Sequence, residues 1–285
     1  MKIAKHFFCV RLLAAAASLF IFGAVRASAQ SDYTAITVEN GGTITGTVKW
    51  SGPAPKVPKL PITKDASVCD PESHKVRDLE RLEIGSDSGV ANTVVFLKDI
   101  TRGKAMDLPE AREHLDQKNC RYVPHIMLIP QGGNLDAKSS DPVLHTVHMT
   151  GAASNNIPFP MQNQMIPISL PRAGVVELKC NAGHVWMNAE ILIVSHPYYA
   201  VTDEHGYFKL TGVPPGEYEI EAWHEGWQNM SEESVLDVAA QVRVKRPVYS
   251  SPQTWAKKVN VKPGETAEVN FAISANKNIA AAGNR

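Results

Sequence analysis

Apolar and polar positions alternate with a period of two in several stretches of the chain. Ile44, Gly46, Val48 and Trp50 interleave with Thr and Lys, Tyr218, Ile220 and Ala222 with Glu217, Glu219 and Glu221, and Val269, Phe271 and Ile273 with Glu268 and Asn270. This is the period of strands buried on one face. Turn chemistry falls between such stretches: GPAP at 52–55, GG at 132–133, PPG at 214–216 and PG at 263–264. The pattern predicts an all-β chain folded into two-layer sandwiches. One short helix is expected from Pro109 to about Gln117, with Pro109 in its first turn, Glu110 near its positive end, and Leu108, Ala111 and Leu115 on one face. Residues 51–64, with proline at 53, 55, 58 and 61, predict an extended loop, and the end after Ser274 a frayed tail.

Two stretches carry donors. In Val175–Cys180, Val176, Leu178 and Cys180 share one face, while Glu177 and Lys179 point to solvent. His184 and Met187 follow within a turn, before the apolar run from Ile191. In SSDPVLHTVHM, Val143, His145 and Val147 share a face and His148 lies on the other, so His145 is expected to point inward. Two imidazoles, a thiolate and a thioether form the His₂Cys set with a weak axial Met that suits copper and one-electron transfer. Zinc gains little from a thioether, and structural zinc sites use four strong ligands. The ligand set is therefore His145, Cys180, His184 and Met187, with copper as the cofactor.

The N-terminus changes the setting of that thiol. Lys2, Lys5 and Arg11 precede an apolar run, Leu12–Val25, and Ala27-Ser28-Ala29 precedes Gln30, the pattern of a cleaved secretory signal over residues 1–29. No segment reaches the length of about twenty apolar residues that a membrane helix needs, so a periplasmic or secreted, soluble chain is expected. Cys9 leaves with the signal. Cys69, Cys120 and Cys180 remain in an oxidising compartment. The polar surroundings SVCDPES and DQKNCRY predict a Cys69–Cys120 disulfide, leaving Cys180 for the metal. Acidic and basic residues balance at 29 each, so neither nucleic acid nor an anionic membrane is an expected partner.

DPVLHTVH followed by CNAGHVWM resembles the cupredoxin family, over roughly residues 118–197. The resemblance implies a Greek-key sandwich with the first His on one strand and Cys, His and Met on a loop near its C-terminal end. The CxxxHxxM spacing is also similar to the second half of the binuclear copper motif of cytochrome oxidase subunit II. Here Val176 stands four residues before Cys180, so the likeness implies a mononuclear centre. Cupredoxins often follow the first ligand with Asn, which ties the two ligand loops together; Thr146 departs from this, which bears on the rigidity of the site and its spectrum.

A second resemblance surrounds the first. TDEHGYFKLTGVPPGEYEIEAWHEG is similar to the carboxypeptidase regulatory-like (transthyretin-like) domain, with GTITGTVKWSGPAP and GVANTVVFLKD as its opening strands and VNVKPGETAEVNFAI as its last. The expected arrangement is a β segment at 30–117, a copper domain at 118–197, returning sandwich strands at 198–275 and a tail at 276–285. The copper segment is then inserted into the second sandwich, or the two share an extended interface. No peptidase or other catalytic motif is present, so no enzyme is expected.

Other residues carry readings of their own. His125 and His196 are read as structural, with a hydrogen bond to a copper ligand as the alternative, His224 as a strand-end surface residue, and Trp186 as packing over the ligand loop. The uncharged stretch Gly151–Pro167 reads as a long loop packed over the sandwich end, as a docking surface, or as a methionine cluster for copper(I). The leading function is an exported one-electron carrier meeting a redox partner protein near a solvent-near His184 and the 151–167 loop; the oligomeric state is left open. Copper storage, delivery or sensing, with Met149, Met161 and Met165 as auxiliary donors, and a structural β protein with a vestigial site are the alternatives.

Overall fold

The computed structural model describes residues 33–106 and 113–275. The expected signal segment, the first half of the expected helix (109–112) and the tail 276–285 lie outside the described residues. The regular structure is strand except for a single four-residue helix, Ala66–Cys69, among the described residues.

The period-two stretches form the strands they predict. Gly42–Trp50 alternates buried and half-exposed positions throughout, with Ile44 and Val48 fully enclosed. Gly46 occupies an inward position because a Cβ there would stand 1.7 Å from the Val269 carbonyl oxygen. This strand pairs with Tyr207–Val213 on one side and with Thr266–Glu268 and Phe271–Ile273 on the other. A facing sheet runs in the order Tyr199–Val201, Val94–Leu97, Gly216–His224, Gln253–Val261. Between them lie Ile44, Val48, Leu97, Phe208, Ile220, Trp227, Trp255 and Phe271.

Strands between residues 113 and 194 build a separate pair of sheets. One runs Asn155–Phe159, His145–Gly151, Gly174–Lys179, Asn188–Val194, Ile126–Pro130; the other runs Met165–Ser169, Asn134–Ser139, Glu113–Lys118, Arg121–Val123. Their core contains Leu115, Tyr122, Ile129, Leu135, Val147, Phe159, Leu178 and Ile191. The chain thus contributes Gly42–Trp50 and Val94–Leu97 to one sandwich, builds the other from consecutive strands, and returns from Tyr199 onward to finish the first. A small cluster of Val94, Ile126, Leu192, Val194 and Trp223 joins the two cores.

Two expectations fail. Residues Glu113–Gln117 are strand, part of Glu113–Lys118, and not the second half of a helix. Leu115 and Gln117 are fully buried on alternate positions, and both backbone edges are paired, to Asn134–Ser139 and to Arg121–Val123. Ladders on both sides outweigh a local propensity worth a few tenths of a kcal/mol per residue. The stretch 151–167 is not one long loop either: it contains Asn155–Phe159, an edge strand of one sheet, and the start of Met165–Ser169, an edge strand of the other. Phe159 turns into the core, whereas Met161 and Met165 are exposed.

A two-stranded arm, Asn229–Asp237 with Val242–Tyr249, leaves the second sandwich and reaches the turn after Cys180. The Val238 N–H donates to the Asn181 carbonyl at 2.9 Å, and the buried Arg246 guanidinium donates to the Cys180 carbonyl at 2.7 Å and to Asn181 Oδ1 at 2.9 Å. No helix among the described residues is long and apolar enough to cross a membrane.

Candidate metal centre

His145 opens the strand His145–Gly151, and Cys180 follows directly on Gly174–Lys179; these strands are antiparallel neighbours, with His148 opposite Lys179. That register sets His145 and Cys180 at the same end of the sheet, both facing inward and both fully buried. The turn after Cys180 folds back, closed by the Met187 N–H donating to the His184 carbonyl at 3.0 Å. His184 is thereby carried under the same roof, also with no exposed surface.

Three donor atoms converge. His145 Nδ1 lies 3.2 Å from His184 Nδ1, and His184 Nδ1 lies 3.7 Å from Cys180 Sγ. The opposite ring nitrogens are committed elsewhere: His145 Nε2 donates to Asp141 Oδ2 at 2.9 Å, and His184 Nε2 donates to Asp65 Oδ2 at 2.9 Å. With each Nε2 paired to a carboxylate, the two Nδ1 atoms are left facing each other, where a metal ion that displaces any proton between them would be held. An ion about 2.0–2.1 Å from nitrogen and about 2.3 Å from thiolate sulfur, the lengths seen at zinc, spans about 3.4–3.6 Å between nitrogens and about 3.6–3.8 Å from nitrogen to sulfur. The pocket is close to that size, and its soft donor set fits copper.

The electrostatics prepare the sulfur. Burial alone would raise the Cys180 thiol, but hydrogen bonds from His145 and His184 outweigh it and hold its pKa well below the ordinary range. Burial likewise works against a charged His145, yet Asp141 and the Cys180 sulfur prevail and push its pKa up to about 9. Asp141 is itself fixed by the N–H groups of Asn119 and Cys120, at 2.8 and 2.7 Å.

Thr146 makes the tie between the two ligand loops. Its N–H lies 3.4 Å from Cys180 Sγ, and its Oγ1 accepts from the Asn181 N–H at 2.7 Å while standing 3.9 Å from the same sulfur. Trp186 packs edge-on to His184, with centroids 5.4 Å apart, and its Nε1 donates to the Cys120 carbonyl at 3.2 Å. Met187 is buried in the same core as Cys180.

Cys69 and Cys120 form the expected disulfide, and Cys180 is a free, buried thiol. Two further readings change. His184 is not near solvent: the segment around Asp65 covers it, because Asp65 lends its carboxylate to the ring instead of capping its own helix. His224 is not at the surface but fully buried, its Nδ1 against the Glu225 carbonyl at 2.8 Å. His125 pairs with Glu225, and His196 accepts the Tyr198 N–H at 3.3 Å.

Sequence reasoning did not reach Asp65, Asp141 or Arg246. Asp141, four residues before His145 in DPVLH, was detectable as a local partner. Asp65 lies 119 positions from the ring it holds, and no sequence pattern connects them.

No protein-family model matches this chain, and no curated sequence matches it either. The structural neighbours are cupredoxins and a related enzyme, each over about a third of the chain. A P52G variant of amicyanin aligns with 16% identity and a TM-score of 0.28, covering 31% of this chain and 87% of amicyanin. A purple cupredoxin from Nitrosopumilus maritimus gives 16% and 0.26, covering 29% and 99%. A copper-containing nitrite reductase from Thermus scotoductus SA-01 gives 15% and 0.28, over 32% of this chain and only 24% of the reductase.

Proposed function

We propose that this chain is an exported, mononuclear copper protein that carries one electron at a time, with His145, Cys180 and His184 as the residues that would hold the metal strongly and Met187, buried in the same core, as the weak fourth ligand. The observation that carries the reading is the convergence of two Nδ1 atoms and one thiol sulfur, with both Nε2 atoms paired to carboxylates. Copper, when bound, supplies a one-electron couple whose potential is set by burial, axial ligation and hydrogen bonds to sulfur. The residues do the rest. Asp141 and Asp65 orient the rings, the Thr146 N–H and hydroxyl fix the sulfur, and Arg246 holds the Cys180 carbonyl. A cage held from so many sides changes little between oxidation states, which favours fast electron exchange.

In this reading the second sandwich is a regulatory-like scaffold whose arm grips the ligand turn, and a redox protein is the partner. The test is metal analysis of the mature chain, with its visible and electron-spin spectra, alongside Cys180→Ser. One copper per chain and a sulfur-to-copper band absent from the variant are expected.

Copper handling is the second reading, favoured by one feature: Met161, in the turn between the two edge strands, is 63% exposed, and Met165, opening the second of them, is 49% exposed, where soft donors could receive copper(I). Transfer of copper to an acceptor, lost in a Met161→Leu/Met165→Leu variant, supports handling; redox cycling with full retention against a chelator supports the carrier.

A further inference from the structure

The disulfide lies against the metal centre. Cys69 Sγ, Cys120 Sγ and one His184 ring nitrogen all lie within 4.8 Å of one another, and so do Cys120 Sγ, an Asp141 oxygen and a His145 nitrogen. The bridge is also connected to both imidazoles through the carboxylates that hold them. Cys69 ends the four-residue helix that Asp65 precedes, and its N–H donates to the Asp65 carbonyl at 2.9 Å, while Asp65 Oδ2 accepts from His184. On the other side the Cys120 N–H donates to Asp141 Oδ2, the same oxygen that accepts from His145. One covalent bond therefore staples together the two carboxylates that orient the two rings.

We propose that Cys69 and Cys120, once reduced, form a second, two-thiolate site that takes copper(I), so that the thiol–disulfide state of this pair decides how many copper ions the chain holds. As a disulfide the two sulfurs are poor ligands, because the thiolate is the donor form. Reduction by a dithiol proceeds through a mixed disulfide: the reductant's thiolate attacks one sulfur and the other leaves as thiolate. The second reductant thiol then completes its own disulfide, and two thiols remain on the chain. Binding one copper(I) releases the two thiol protons and makes two sulfur–copper bonds. Soft thiolates select copper(I) over harder ions, and two of them suffice to hold it while both nitrogens of His184 stay with the first site and Asp65.

A polar cleft adjoins the bridge, whose two cysteines themselves have no exposed surface. A cleft of about 530 Å³ is lined by Cys69 and by Asn119, next to Cys120, together with Lys59, Asp70, His74 and Arg121. A dithiol or a copper(I) donor can thus come up to the residues that cover the bridge, and reaches the sulfurs when these shift.

The proposal goes beyond the carrier reading and is separable from it. Mature, full-length protein is titrated with copper(I) against a coloured copper(I) chelator, either as isolated or after reduction by a phosphine that is then removed. The expected counts are one copper per oxidised chain and two per reduced chain. Cys180→Ser should bind none oxidised and one reduced, and Cys69→Ser/Cys120→Ser should bind one under both conditions. An unchanged count in reduced wild type, with two newly titratable thiols, overturns the proposal. So does loss of β-sheet circular dichroism on reduction, because the site requires the folded chain to hold both thiols. If oxidised wild type binds no copper, the carrier reading fails, and the difference between reduced and oxidised counts still decides this one.

Discussion

The two sandwiches bury different things. The one built on Gly42–Trp50 and Gly216–His224 encloses a core of aliphatic and aromatic side chains: Ile44, Val48, Trp50, Phe208, Trp227, Trp255, Phe271. The one built on strands from 113 to 194 has an apolar middle, but at one end it encloses two imidazoles, a thiol, a disulfide and the Asp141 carboxylate. An apolar core forms from any side chains of suitable size and period. A buried polar cluster persists only if each member has a partner, and here those partners come from Asp65 in the segment before the sandwich and from the arm carrying Arg246. The difference teaches why the candidate centre depends on more than its own sandwich: segments from outside complete it.

The largest expected effect breaks the joint between the two halves. Glu225, from the second sandwich, is buried against Arg81 (2.7 Å) and His125. Glu225→Gln leaves the buried Arg81 guanidinium with the Gly226 carbonyl at 2.8 Å and, as its nearest carboxylate, Glu177 at 3.7 Å. Unfolding by denaturant should show a loss of about 3–5 kcal/mol.

Next is a pH effect at the same joint. Glu190 faces Glu177 across neighbouring strands; burial first, then Glu225 and Glu177, push its pKa up to about 9. The folded state therefore binds a proton that the unfolded state releases between about pH 4.5 and 9, so this residue lowers stability as pH rises through that window. Glu190→Gln, which keeps the protonated shape, should gain on wild type by about 1.4 kcal/mol per pH unit. Denaturation at pH 6 and pH 8 checks this; a constant difference contradicts it.

A third prediction acts at the site without touching the metal. Asp141→Asn removes the charge that holds the Nε2–H of His145 and should weaken copper binding about 10–100-fold, measured by chelator competition, while thermal unfolding of the copper-free chain changes less. The smallest effect is a surface control on the other sandwich. The exposed Lys98 pairs with Glu219 and Glu221 at 2.8 and 2.9 Å, so solvent screening should leave thermal unfolding of Lys98→Ala close to wild type and copper binding unchanged.

How far these features were legible follows from the same contrast. The alternation in GTITGTVKW names a one-face strand because the period of two is local, and the faces of His145 and Cys180 follow from that rule. Glu113–Lys118 misled because Pro109, Glu110 and Leu115 fit a helix locally, while the ladders that made it strand come from residues 121–123 and 134–139. The burial of His184 was invisible because Asp65 covers it from 119 positions away. Thr146 was a visible departure, but only the register of two strands reveals that its hydroxyl accepts from Asn181 and its N–H faces the sulfur.

The most direct test of the centre is the metal content and visible spectrum of mature protein purified from copper-replete cells, beside Cys180→Ser. The account predicts one copper per chain with a sulfur-to-copper charge-transfer band, both gone in the variant. A metal-free or zinc-loaded wild type, or a variant that keeps its copper and its band, would contradict it.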